Sequence, residues 1–131
     1  MKEGYIVEKI FIPQALPPAG HYTPAIKAGN FVYISGQLPV DPLTGAQCHE
    51  HISVQTKLVL ANMEALVRAA GGSKTDVIKV TVYIPEIQAW DAVNKVYQEF
   101  FGEHKPTRTI VPTGELHYGF KIELEAVAYI K

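Results

Sequence analysis

The chain has little that can cross-link or ligate. Cys48 is the single cysteine among 131 residues, so neither an intrachain disulfide nor a multi-cysteine zinc site can form, and the chain fits a reducing compartment without requiring one. Cys48 itself reads as a small, partly buried residue. An excess of either charge is also missing. Twelve Lys plus Arg face thirteen Asp plus Glu, for a net charge of -1, and the basic residues are scattered, which argues against nucleic acid or an anionic membrane as partner. Charged residues make up only 19%, against 47% hydrophobic, which leaves no room for an extended disordered arm and favours association with like chains. No apolar run approaches the roughly 18 residues of a membrane span. The N-terminal MKEGYIVEKI carries Glu3, Glu8 and Lys9 where a signal peptide needs an apolar run. No glycine-rich phosphate loop, HExxH helix or nucleophile elbow is present, which removes the most recognisable ATP, zinc-protease and hydrolase readings. These absences predict one soluble, cytoplasmic domain spanning residues 1–131.

What the chain does have is a pattern of short elements. Tyr5 to Ile12 and Phe31 to Ser35 carry β-branched and aromatic residues at strand density. Between them Pro13 to Pro24 reads as an ordered loop crossing from one strand to the next, and Asp41-Pro42-Leu43-Thr44-Gly45 reads as a reverse turn. Val54, Leu58, Ala61, Ala65 and Ala69 recur near helical spacing, with Ser53 as the predicted cap and Gly71-Gly72 as the stop. Val77 to Ile84 is a strand halted by Pro85. Trp90, Val93, Tyr97 and Phe101 mark a second amphipathic helix ending at Gly102. Arg108 to Val111 and Phe120 to Ile130 supply further strands.

Two helices can cover only one face of such an α+β sheet. Yet FVYIS and VTVYI are apolar at consecutive positions, as strands buried on both faces are. A partner subunit covers the second face most economically, which predicts a homo-oligomer. Period-two alternation puts Ile122, Leu124 and Ala126 toward the helices and Glu123 and Glu125 toward the other face. A buried carboxylate costs several kcal/mol unless paired, so Glu123 is either neutralised by a cation such as Arg108 in a structural salt bridge or kept for function. Residue chemistry alone leaves both open.

The segments AGHYTPAI, GNFVYISGQLPVDPLTG, VNKVYQEFFGEH, KPTRTIV and KIELEAVA, in that order, resemble the motifs of the Rid (reactive intermediate deaminase, YjgF-type) family, over about nine-tenths of the chain. The resemblance implies a chorismate-mutase-like α+β subunit, a mixed sheet of about six strands with two helices on one face, assembled as a homotrimer with sites between subunits. It implies hydrolysis of 2-enamine and 2-imine acids such as 2-iminobutanoate or 2-iminopropanoate to the 2-oxo acid and ammonia, with no metal or organic cofactor. By the same resemblance Arg108 grips the substrate carboxylate, a task that suits a guanidinium fork better than a lysine. Glu123 activates water and shuttles its proton to the departing nitrogen. Burial raises the Glu123 pKa and Arg108 lowers it, and the sequence does not say which wins. Tyr22 closes the pocket wall, or is an aromatic packed in a loop. Ser35 and Gly36 line the cleft floor, with Gly36 allowing close backbone approach, or merely end a strand. Asn94 lies near the site, or makes a plain helix-to-sheet hydrogen bond.

Two departures from the family pattern stand out. Ile110 occupies the place where many relatives have cysteine, so only its backbone can face substrate there. The loop Pro112 to Gly119 differs from that of the best-known relatives, and its His117 and Tyr118 either reshape the pocket mouth for a larger substrate, such as an aminomuconate-like dicarboxylate, or form a plain surface turn. His49 and His51 flank Glu50, where strand alternation would put both imidazoles on one face; without a third ligand they read as a solvated pair and not a metal site. The leading expectation is an imine deaminase. A non-catalytic carboxylate-binding or regulatory module stands second and a ribonuclease or translation inhibitor third.

Overall fold

The computed structural model describes residues 7–131. Its main elements in chain order are β1 (Val7–Ile10), β2 (Ala25–Ala28), β3 (Phe31–Gln37), α1 (Ile52–Ala69), β4 (Val77–Ile84), α2 (Trp90–Phe101), β5 (Thr107–Pro112) and β6 (Glu123–Tyr129). The strands form one mixed six-stranded sheet in the order β1-β2-β3-β6-β4-β5. Every neighbouring pair is antiparallel except β4 and β5, which run parallel because α2 carries the chain back between them.

Both helices pack on one face of the sheet. Their apolar stripes meet the alternate residues of the central strands: Val32 and Ile34 of β3, Val80 and Val82 of β4, and Leu124 and Ala126 of β6 are all buried. Against them lie Val59, Leu60, Met63, Leu66 and Val67 of α1, each fully buried. Truncating one of these leucines costs about 2–5 kcal/mol through lost transfer energy and the cavity left behind. Gly71 (φ 96°) and Gly102 (φ 62°) adopt left-handed backbone just past the two helices, as the sequence predicts.

Among the described residues of one chain nothing packs over the aromatic residues of the opposite face. Phe31 is 40% exposed and Tyr33 52% exposed, and the Phe31 ring meets the exposed Tyr129 ring edge-on at 5.0 Å. The consecutive apolar residues of β3 are therefore half core and half uncovered aromatic surface.

Several sequence expectations need correction. Ser53 does not cap α1. His51 does, through an Nδ1 that accepts from the Ser53 backbone N–H at 3.1 Å, and Ser53 lies inside the first turn. His49 instead bonds Gln47 at 2.8 Å and stacks on Phe120, so the two imidazoles serve different elements and do not share a strand face. The sequence reading missed β2, four residues of low β-propensity (AIKA) held by pairing on both sides. Because β1 and β2 are adjacent, the Pro13–Pro24 loop returns to a neighbouring strand and crosses none. The first strand ends at Ile10, ahead of Pro13, and the Tyr5 and Ile6 placed in it lie outside the described residues. The last strand starts at Glu123 and not Phe120, because a short turn at His117–Gly119 delays it. The Asp41–Gly45 turn forms as expected, with Asp41 Oδ1 accepting from the Leu43 N–H at 2.8 Å and Gly45 at φ 79°.

Candidate functional site

Helix α2 and strand β5 build the first half of the site. Trp90, Asn94 and Tyr97 follow one another by four and three residues and so share a face of α2. Arg108, second in β5, reaches onto that face. Its Nη1 donates to Asn94 Oδ1 at 2.9 Å, and its Cζ lies 4.8 Å from the Tyr97 ring centroid and 5.4 Å from that of Trp90. Two aromatic faces and one amide thus hold the guanidinium. It borders a cleft of about 540 Å³ shared with Asn94, Tyr97, His104 and Lys105. Burial pushes the Tyr97 phenol up to about 12 against the opposing pull of Arg108, so it stays protonated. Ile110 points the same way two residues on, packs against the core and lines neither cleft. Its strand is the sheet's edge, with backbone groups on one side lacking a strand partner.

Strands β3 and β6 and the long β1–β2 loop build the second half. The β3–β6 register shifts between Ile34 and Gln37, a bulge that brings Gly36 against Glu123. A Cβ on Gly36 would overlap Glu123 Oε2 and lie 3.2 Å from Cδ, so the glycine is what lets the carboxylate sit on the strand backbone. Ser35 ties the loop down: its hydroxyl donates to the Thr23 carbonyl at 2.6 Å and its N–H to that of Pro24 at 2.9 Å. The Ser35 oxygen is left as an acceptor only. Tyr22, 53% exposed, stands beside it. Glu123, Gly36, Ser35 and Tyr22 line one cleft of about 1140 Å³, joined by His117 and Tyr118.

Burial and the neighbouring Glu125 charge raise the Glu123 pKa above its ordinary 4.5, and the His117 charge opposes them. Glu125 accepts a hydrogen bond from the Tyr83 hydroxyl, and that bond, with burial, raises the Tyr83 pKa.

The two clefts share no lining residue. Among the described residues the one ion pair is Arg68 with Glu64, so the structural salt bridge between Arg108 and Glu123 does not exist within a chain. Arg108 faces the helix side, and Glu123 extends from the face away from it. The sequence reading also missed that Trp90 and Tyr97 hold Arg108; their spacing with Asn94 was the available signal.

A family model described as endoribonuclease L-PSP matches residues 12–130. A 2-iminobutanoate/2-iminopropanoate deaminase of Salmonella typhimurium is 40% identical over 83% of this chain and 87% of that protein. The chain belongs to the Rid family. A RutC family protein of Pyrococcus horikoshii is 48% identical over 93% of this chain and 97% of its own. The crystal structure of Escherichia coli TdcF with bound serine superposes with a TM-score of 0.88 at 37% identity, over 95% of this chain and 99% of that one. The Rid subunit fold implied by the sequence motifs is thus the fold observed.

Proposed function

We propose that this Rid protein is a hydrolytic deaminase of 2-imino and 2-enamine acids, acting at sites that two protomers complete. The observation that carries this reading is the division of labour within one chain. A held cation suited to a carboxylate and a half-buried acid suited to activating water sit in separate clefts, and an uncovered aromatic sheet face and an open β5 edge are available to bring copies together. Arg108, with Asn94 and the Ile110 backbone, binds the substrate carboxylate in one protomer. Glu123, Gly36, Ser35 and Tyr22 of its neighbour bind the imine carbon's side and the water. A closed ring of three such contacts is the homotrimer of this reading. A relative named as a 2-iminobutanoate/2-iminopropanoate deaminase and another named as a reactive intermediate deaminase, each at 40% identity, and a relative with bound serine support the substrate class. No metal or organic cofactor enters the reaction as written.

Chemically, the guanidinium fixes the carboxylate next to the C=N carbon, and the Glu123 carboxylate takes a proton from water as it adds. The raised pKa of Glu123 makes it a better base than an ordinary carboxylate and able to return that proton to the leaving nitrogen.

The test is loss of 2-iminobutanoate supplied by a threonine dehydratase. Acceleration over solvent hydrolysis that disappears in Arg108→Ala supports the reading; no acceleration, or an Arg108→Ala variant as fast as wild type, overturns it. Mixing inactive Arg108→Ala and Glu123→Gln protomers separates the shared site from any other, since random assembly restores up to about one quarter of the sites. Light scattering that returns the mass of one subunit defeats the shared site. If calorimetry finds 2-oxobutanoate binding that needs Arg108 while turnover is absent, the regulatory module takes its place.

A second reading concerns substrate size. The Glu123 cleft of a single protomer, about 1140 Å³ before a neighbour enters it, has room for something larger than iminobutanoate. Among the described residues of that cleft an aminomuconate-type dicarboxylate would find no Lys or Arg for its second charge. Comparing kcat/KM for the two substrates decides it. The same lack of Lys and Arg among the described lining residues, with the near-zero net charge, weighs against RNA despite the family model's description.

A further inference from the structure

We propose that His117 is a second proton-transfer residue of the Glu123 cleft, working opposite that carboxylate in the imine hydrolysis proposed above, on which this inference rests. Three observations carry it. Among the described residues His117 is the only basic side chain lining the cleft; the other ionisable carboxylate there besides Glu123 is Asp41. Its ring is fixed by stacking and not by hydrogen bonds. It lies face to face with Tyr118 at 3.7 Å and 19°, and Tyr118 in turn meets the buried Phe120 edge-on at 5.8 Å. Among the described residues neither imidazole nitrogen has a hydrogen-bond partner, so both remain available to substrate and water. Finally, the turn that presents it is an unfavourable one. Tyr118 (φ 59°) and Gly119 (φ 71°) are consecutive left-handed residues, and an aromatic residue adopts that backbone only where its surroundings hold it.

The reaction needs more proton handling than one carboxylate gives without reorganising between steps. As the water oxygen bonds to the imine carbon, Glu123 takes a water proton and the C=N pair moves to nitrogen, which receives the ring proton of the His117 imidazolium. The product is a carbinolamine. Its C–N bond then breaks as Glu123 returns its proton to nitrogen, while neutral His117 takes the hydroxyl proton and the carbonyl forms. Imine plus water has become 2-oxo acid plus ammonia, and both side chains are back in their starting forms.

The titratable groups around this pair are Glu125 and Tyr83 beside Glu123 on the sheet, and Asp41, Tyr22 and Tyr118 on the cleft lining. His117 and Glu123 line the same cleft, and the His117 charge opposes the upward pull of burial on the carboxylate.

The experiment is the pH profile of kcat/KM for 2-iminobutanoate in wild type, His117→Gln and His117→Phe, the last keeping a ring to stack on Tyr118. The expected result is a bell in wild type, with an alkaline limb that both variants lose, a fall of about 100-fold in each, and an unchanged Tm. Free imidazole should restore rate to His117→Ala. Variants within about two-fold of wild type, or variants that lower the rate while keeping the alkaline limb, overturn the proposal. A wild type that does not accelerate hydrolysis, or a Glu123→Gln variant as fast as wild type, overturns the deaminase reading itself; an active, Glu123-dependent enzyme indifferent to His117 overturns only this one.

Discussion

The cation cleft and the acid cleft are built by different means. Arg108 rises from a strand and is held by a helix face: one hydrogen bond and two aromatic rings, all within one chain. Glu123 lies where regular structure gives way, beside a β-bulge, a glycine without room for a Cβ and a proline-rich loop, and among the described residues no cation pairs with it. The guanidinium is therefore pre-organised before substrate arrives, whereas the carboxylate is left costly in its charged state. A half-buried acid without an ion-pair partner is a poor stabiliser and a good base. One cleft is stable because it is complete, and the other is reactive because it is not.

The sharpest way to break that contrast is Glu123→Gln. Activity should fall by about 10²–10⁴-fold in the imine assay, since the base is gone while the pocket shape stays. Stability should move the other way. A carboxyl whose folded pKa lies above its unfolded value favours the folded chain while protonated; that advantage is full below about 4.5 and is lost as the pH rises through the folded value. At neutral pH the uncharged glutamine avoids the penalty, so its Tm should match or exceed wild type by up to about 4 °C, and the gain should vanish in acid. A lower Tm at neutral pH would mean that Glu123 is paired after all.

Gly36→Ala tests the same cleft from the backbone side. Gly36 does not need left-handed backbone, so the chain should fold, but the new methyl must displace the Glu123 carboxylate. A misplacement near 1 Å costs on the order of 100-fold in rate. Kinetics and a thermal melt together check this; full activity would show that the carboxylate works from another position. Arg108→Lys is the matching change in the cation cleft. It keeps the charge but loses the bidentate fork and the flat stacking surface, so kcat/KM should fall about 10–100-fold, chiefly through KM.

The same contrast explains what could be read from the sequence. The residues of regular elements were legible: both helices, β4, and the alternation that turns Leu124 inward and Glu123 outward all follow from period and stop signals. Arg108 and Glu123 were legible as candidates because a charge on a strand face expected to be buried is costly unless paired or used, while their roles came only with the family motifs. Their separation into two clefts was not, because it depends on the β6–β4–β5 order, which no local pattern encodes. β2 was missed because pairing partners, not propensity, hold AIKA extended. The His51 cap was missed because Ser53 is the stronger capping residue by type, yet the backbone turns two residues earlier.

The smallest expected effect asks what part of Tyr97 holds Arg108. The residue is 7% exposed, and among the described residues its buried hydroxyl has no hydrogen-bond partner. If the ring face does the holding, Tyr97→Phe keeps the aromatic contact at 4.8 Å and removes only a costly orphan hydroxyl. Its KM should stay within about two-fold of wild type and its stability should rise by about 1 kcal/mol. Tyr97→Leu, which removes the ring face, should raise KM several-fold and leave kcat nearly untouched, because the cation is loosened but not lost. If Tyr97→Phe instead raises KM as much as Tyr97→Leu does, the hydroxyl has a partner in the assembled enzyme, and the cation cleft is no more complete within one chain than the acid cleft.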